Sequence, residues 1–357
     1  MNALVKAPDL KAWAADVFVR LGLREDDSVL VADSLVEADL RGVGSHGVQR
    51  MTTYARGLQA GTIVARPEVR VVQDSGWAAV VDGGGGMGQI AAQFATSLAL
   101  QRAASGGGHG AVAVRRSGHC GAMAYWAMQA AAARAIGFGA TNAGINMMPT
   151  GGREKLVGNN PLAYAIPTGR ETPIVLDMAT SVVAGGKLDV ARLKVEPIPL
   201  GWALDAAGEP TTDPVAARQG ALLPLGGPKG YGLAVVLDVL CGVLAGGRFG
   251  KGLGEPGQPA RGPTSPAQPP GSAHFFEVYA VEAFTPYADF LERIGALIDQ
   301  LHDCPPAPGS PGVVLPGELE HRLRERRLQE GLPLEELLLR ELNELGQSLS
   351  APRLQVA

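Results

Sequence analysis

Apolar residues recur at helical spacing through the first part of the chain. Trp13, Val17 and Leu21 stand at i, i+4 and i+8 and predict a helix that Gly22 can end. A second helix is expected over residues 29–40, after the acidic run Glu25-Asp26-Asp27. A third is expected to open at Ser45 as N-cap, with Val48, Met51, Ala55 and Leu58 as its apolar stripe and Gly57 and Gly61 near its end. Around Pro67 the pattern changes. Residues 69–72 and 78–81 read as strands, Asp82 to Gly86 reads as a sharp turn, and a domain boundary is placed near residue 73. Strands and helices then alternate: helix 90–103, strand 111–114, helix 122–133, strand 137–140, and strands at 161–167 and 173–176. Residues 230–246 read as a buried helix, 274–281 as a strand, and 288–301 and 318–345 as closing helices. Between them, residues 250–272 are nearly devoid of apolar side chains and predict a long mobile surface loop.

Composition narrows the class. At 357 residues the chain can bury a large core and is expected to divide into two domains. Its 31 basic and 35 acidic residues give no polyelectrolyte character, which excludes nucleic acid as the main partner. The longest apolar run, residues 233–244, contains Asp238 and is too short to span a bilayer, so no membrane partner is expected. Three widely spaced cysteines and no visible secretory signal point to a reduced, cytoplasmic protein.

The chemistry concentrates in two stretches. On the helix expected from Ser45, His46, Arg50 and Tyr54 fall at successive i, i+4 positions and share one line. A guanidinium can grip a small carboxylate in two-pronged fashion while an imidazole and a phenol handle a neighbouring oxygen. A helix start disfavours imidazolium, which would keep His46 neutral near pH 7. A solvated face with an incidental histidine has the same pattern. The second stretch, Ser117-Gly118-His119-Cys120-Gly121, follows a strand and precedes a helix, where a histidine can enter a cleft. Cys120 is read as a packed thiol, His109, His302 and His321 as surface residues, and His274 as unremarkable. No histidine pair has metal-ligand spacing, so no metal is expected. Gly83, Gly85 and Gly88 satisfy G-x-G-x-x-G, but Arg115-Arg116 replaces the acidic residue of the dinucleotide fingerprint; a tight turn is an equal reading.

Taken in order, further segments resemble one family. They are Asp39 to Gly47, Ser117-Gly118-His119, Gly151-Gly152-Arg153, Gly158 to Ala163, Pro173 to Ser181, Gly201-Trp202-Ala203, Pro224 to Gly232 and Leu315 to Glu318. Together they resemble the malate/L-lactate dehydrogenase family of NAD(P)-dependent oxidoreductases, which is distinct from the Rossmann-type enzymes. The resemblance implies an α/β (α+β) fold in which a mixed, largely antiparallel sheet binds the dinucleotide. It implies a helical domain built from residues 1–73 and 286–357, a cofactor domain at 74–285, and a homodimer. Hydride would pass between nicotinamide and C2 of a small 2-oxo or 2-hydroxy acid, with NAD slightly favoured over NADP. A reductase of a cyclic imino acid and a non-catalytic NAD(P)-binding protein are the alternatives, and a Rossmann-type NADP reductase using Gly83 to Gly88 is a further rival. Residue by residue, Ser45, Arg50 and Tyr54 would bind substrate, and His46 or His119 would serve as acid/base. Asp177, Met178, Ala179, Pro228, Lys229, Gly317 and Glu318 would contact the cofactor. The sequence departs from the family pattern at Asn159-Asn160, at Ala184-Gly185-Gly186-Lys187 and at residues 192–197.

Overall fold

The structure is a computed structural model that describes residues 3–105, 107–254 and 271–356. Strand β1 (Ala3–Val5) pairs antiparallel with β13 (Leu332–Leu334), so the two ends of the chain close on each other. Helices α1 (Ala7–Arg20) and α2 (Glu25–Leu40) follow the expected apolar stripes. They bury Leu10, Trp13, Val17, Phe18, Val31 and Leu35 in one cluster with Leu342 and Leu354 from the C-terminal segment. The acidic residues Glu25, Asp26 and Asp27 occupy the first turn of α2, where the helix dipole favours them.

The alternating middle of the chain forms a seven-stranded sheet. Its strands are β2 (Arg70–Asp74), β3 (Ala78–Asp82), β4 (His109–Ser117), β5 (Ala135–Thr141), β8 (Leu162–Ile166), β9 (Ile174–Met178) and β12 (Ser272–Ala280). The order is β2-β3-β4-β12-β5-β8-β9, and every neighbouring pair is antiparallel except β3 with β4. The expected non-Rossmann sheet is therefore present. Helices α4 (Gly88–Ser105) and α5 (Met123–Ala132) cover one face through small side chains such as Ala91, Ala95, Ala127 and Ala130. A smaller sheet combines β6 (Ile145–Met147), β7 (Val157–Gly158), β10 (Ala203–Leu204) and β11 (Ala221–Leu222). Helices α6 (Gly185–Lys194) and α7 (Pro214–Gln219) pack beside it.

Three expectations change. The helix predicted as buried over 230–246 is α8 (Pro228–Asp238) continued by a π-helical turn at Val239–Val243. It seats Leu237 and Cys241 against Phe138 and Phe275 of the sheet, but Val236, Val239, Val243 and Leu244 are exposed. An apolar run reports composition and leaves open which face has a partner. After α9 (Tyr287–His302), the single helix predicted over 318–345 is two, α10 (Glu318–Glu330) and α11 (Glu336–Ser348). Gly331 breaks it at φ 108° and lets β13 form between them. Of the predicted mobile loop at 250–272, Gly250–Leu253 is a 3₁₀ turn, and residues 255–270 lie outside the described residues.

Candidate active site

The helix expected from Ser45 begins later. Gly44–His46 and Val48–Arg50 are two successive 3₁₀ turns, and helix α3 spans Met51–Gln59 with Arg50, not Ser45, at its N-cap. Buried Asp39, near the end of α2, accounts for the break. Its Oδ2 accepts the Val48 N–H at 2.8 Å, and a Cβ on Gly47 would lie only 1.8 Å from its Oδ1. The loop is drawn down onto a carboxylate that only glycine lets it approach. Burial, partly offset by the Val48 N–H and by Arg327, raises the Asp39 pKa to about 7. The apolar side of the stretch is as expected, with Val48, Met51, Ala55 and Leu58 buried.

The kinked loop still gathers the polar trio. Arg50 Nε donates to the Ser45 carbonyl at 2.6 Å, and Ser45 Oγ lies 2.9 Å from His46 Nδ1. The His46 ring stacks on His119 with centroids 5.2 Å apart. Tyr54 reaches the same histidine, its OH 2.6 Å from His119 Nδ1, and the Gly121 N–H donates to that nitrogen at 3.3 Å. Behind the phenol, buried Gln89 donates from Nε2 to the Tyr54 oxygen at 3.3 Å. Burial, then Arg50, brings the His46 pKa down to about 4, so desolvation rather than a helix start keeps it neutral. His119 is held well below its ordinary value by burial and then by His46, Arg50 and His274. Burial raises Tyr54.

The glycine motif lets the start of α4 pack closely against the His119 loop. Strand β3, the turn Gly83 to Gly86 and α4 form a parallel crossover into β4, and the first residue of α4 passes directly under the His119 loop. A Cβ on Gly88 would meet the Gly118 carbonyl oxygen at 2.2 Å and His119 backbone atoms at 2.5 Å. Arg116 pairs with buried Asp82 at 3.2 Å. Cys120 is a buried thiol pushed up to about 12 by burial, which fits packing and not nucleophilic attack. His274 is fully buried on β12, with Nδ1 2.7 Å from Thr141 Oγ1 and Nε2 2.9 Å from Ser117 Oγ. His109, expected on the surface, is half-buried in a stack between Trp77 and Tyr279. His302 is exposed, and its Nε2 lies 2.9 Å from Glu318. Half-buried His321 faces Glu171 at 3.6 Å.

The segments that the resemblance assigns to the cofactor all meet β9 or its continuation. Asp177 Oδ2 accepts the Ala124 N–H at 2.8 Å, near the start of α5. Although the Asp177 residue is open on one side, its carboxyl sits in a recess, and this desolvation raises its pKa to about 6. Met178 and Ala179 lead to Thr180, whose carbonyl accepts the Leu225 N–H at 2.9 Å and so brings in Pro228 and Lys229. Val175 N–H donates to the Pro316 carbonyl at 2.9 Å, which sets Gly317 and the start of α10 at Glu318 beside the same strand. Lys229 is exposed at the start of α8, just after Gly226 and Gly227 at φ 58° and 64°. An open cation beside such a turn suits the pyrophosphate of a dinucleotide. Glu318 pairs with His302 and Arg322. Gly186 faces Ser45, a Cβ there lying 3.6 Å from the Ser45 Cβ, so the departing 184–187 segment borders the site. Among the described residues, no cluster of His, Cys, Asp and Glu could hold a metal ion.

Sequence comparison identifies the family of the chain. The model of a family described as malate/L-lactate dehydrogenase matches residues 5–343. The chain belongs to the malate/L-lactate dehydrogenase family. It is 37% identical over 356 residues to the malate dehydrogenase of Pyrococcus abyssi, covering 98% of this chain and 95% of the relative. It is 35% identical over 346 residues to the L-sulfolactate dehydrogenase of Methanocaldococcus jannaschii, covering 97% of each. Its fold is similar to the solved malate dehydrogenase of Pyrococcus horikoshii OT3, at a TM-score of 0.88 and 35% identity over 99% of this chain and 97% of that one. As a member of this dehydrogenase family it is an oxidoreductase of 2-hydroxy acids that works with a nicotinamide cofactor. Gln89 and Asp39 are the two site residues that the sequence reading gave no role. Asp39 stands within a family segment, and Gln89 directly follows the last glycine of the Gly83 to Gly88 motif, which gives the glutamine itself no role.

Proposed function

We propose that Arg50 binds the carboxylate of a small 2-oxo acid while the His46–His119 pair handles its C2 oxygen. The observation that carries this is the meeting of His119 with the stretch that holds His46, Arg50 and Tyr54, through the Tyr54–His119 contact and the His46–His119 stack. Tyr54 and Ser45 orient the two imidazoles, and one imidazole exchanges the proton with the oxygen. Bound NAD or NADP supplies or accepts the hydride. Lys229 would hold its pyrophosphate beside Pro228, with Asp177, Met178, Ala179 and Gly317 along its path; Glu318, paired to His302 and Arg322, would act by holding that segment. We further read residues 1–73 with 286–357 as the substrate-side domain and 74–285 as the cofactor domain. The protein acts in the cytoplasm; its three cysteines are free, and no described helix is long and apolar enough to cross a membrane. A second copy covers the exposed apolar face of α8 and its π-helical turn.

The test is oxidation of NADH and of NADPH by the purified protein with pyruvate, oxaloacetate, phenylpyruvate, 2,3-diketogulonate and piperideine-2-carboxylate. Turnover with a 2-oxo acid is expected, with KM raised roughly a hundredfold or more in Arg50→Ala, the order of a lost buried charged hydrogen-bond pair. An unchanged KM in that variant removes Arg50 from the role. Turnover of the cyclic imine alone would move the chain to the reductase reading.

A further inference from the structure

Hydrogen-bond direction around His119 is fixed by a group that can only donate. The Gly121 N–H meets Nδ1 at 3.3 Å, so Nδ1 of the neutral ring is a lone pair. Tyr54 OH, 2.6 Å from the same nitrogen, must then also present its proton there. Its oxygen is left to accept, and Gln89 Nε2 supplies the donor. The reverse orientation of the Gln89 amide would draw the phenol proton away from His119 and leave Nδ1 needing a proton of its own, against the Gly121 amide. One consequence is an orphan: buried Gln89 Oε1 has no hydrogen-bond partner among the described residues.

We infer that Gln89 and Tyr54 are positioning residues that hold His119 in the Nε2–H tautomer, so that His119 meets the C2 oxygen as a neutral hydrogen-bond donor and not as the base. The inference rests on the reading of the site proposed above. A neutral imidazole whose lone pair faces Gly121 and Tyr54 has none left for a substrate proton. His119 polarises the carbonyl during reduction, steadies the developing alkoxide and keeps its own proton throughout. The exchanged proton passes through the stacked imidazole. As C2 gains the hydride, protonated His46 gives its proton to the oxygen and returns to the neutral form; in oxidation neutral His46 takes it back. Burial and, after it, the Arg50 guanidinium depress His46; a substrate carboxylate on Arg50 offsets the second of these and makes His46 more basic once substrate is bound.

The test is ¹⁵N NMR of the full chain labelled at histidine, with His119→Gln assigning the resonance. A protonated Nε2 with an unprotonated Nδ1 is expected; a protonated Nδ1 in the parent chain overturns the inference. In kinetics, Gln89→Leu keeps the bulk but cannot donate. It should lower kcat about five- to tenfold with KM within about twofold, and add nothing in a Tyr54→Phe background. Additive losses would mean that Gln89 does not act through Tyr54. His119→Gln, which donates but exchanges no proton, should stay at least about tenfold above His119→Ala; equal loss in both makes His119 the base after all. The spectrum does not depend on turnover. A chain inactive on every 2-oxo acid but showing the expected tautomer sinks the proposed reaction and leaves the hydrogen-bond assignment standing. An active chain with Nδ1 protonated does the reverse.

Discussion

His274 shows how a histidine beside an active site can be structural. It is fully buried, bridges Ser117 on β4 to Thr141 on β5, and its pKa is brought from 6.5 down to about 4 by burial. The unfolded chain takes up a proton at this residue below its ordinary value while the folded chain does not. Stability is therefore complete above pH 6.5 and declines as pH falls toward 4, by roughly 3 kcal/mol across that window for this residue. His274→Gln should be less stable than the parent at pH 7, with the gap in Tm closing as pH falls to about 4.5. A gap that stays constant with pH would show that His274 is not neutral in the folded chain. The buried carboxyls act in the opposite sense. Asp39, raised to about 7, favours folding more as pH falls from 7 toward 4, which is why the variant and the parent must be compared at each pH.

At the scale of elements, the glycine turn under His119 gives the clearest prediction. Gly88→Ala must push either the Gly118–His119 backbone or the start of α4 by more than an ångström to reach an ordinary contact. The expected cost is about 1–3 kcal/mol in stability together with a marked loss of kcat, because the displaced loop carries His119. Normal kcat in a folded Gly88→Ala protein would show that His119 has no exacting position. The same region shows how far sequence reasoning reaches. Strands β3 and β4 and helices α4 and α5 follow from period and composition, and the polar trio and apolar stripe of residues 46–58 are legible in the sequence. The conformation of that stretch is not, because the Asp39 carboxylate that breaks the helix lies on another element. Gln89 stays hidden for a similar reason: it follows the glycine motif directly, but its partner Tyr54 is distant in sequence. Gly331 was visible, but a single glycine in a polar helical run does not announce a strand that pairs with residues 3–5.

Across the whole molecule, the face made by Val236, Val239, Val243 and Leu244 calls for cover. Size-exclusion chromatography with light scattering should give a dimer, and Val236→Glu with Val243→Glu should give a folded monomer; a parent monomer at all concentrations would remove the second copy from that face. The sheet order has its own consequence. Strand β12 lies between β4 and β5, although more than a hundred residues of chain separate it from either. A ribosome delivers β4 and β5 long before their common neighbour, so for that interval each waits with an open edge. Premature termination ahead of residue 272 would leave the gap at the centre of the sheet, and with it a chain prone to pairing with its neighbours. The late strand is a timing device of synthesis as much as a piece of architecture: the halves of the seven-stranded sheet join only when the last quarter of the message is being read.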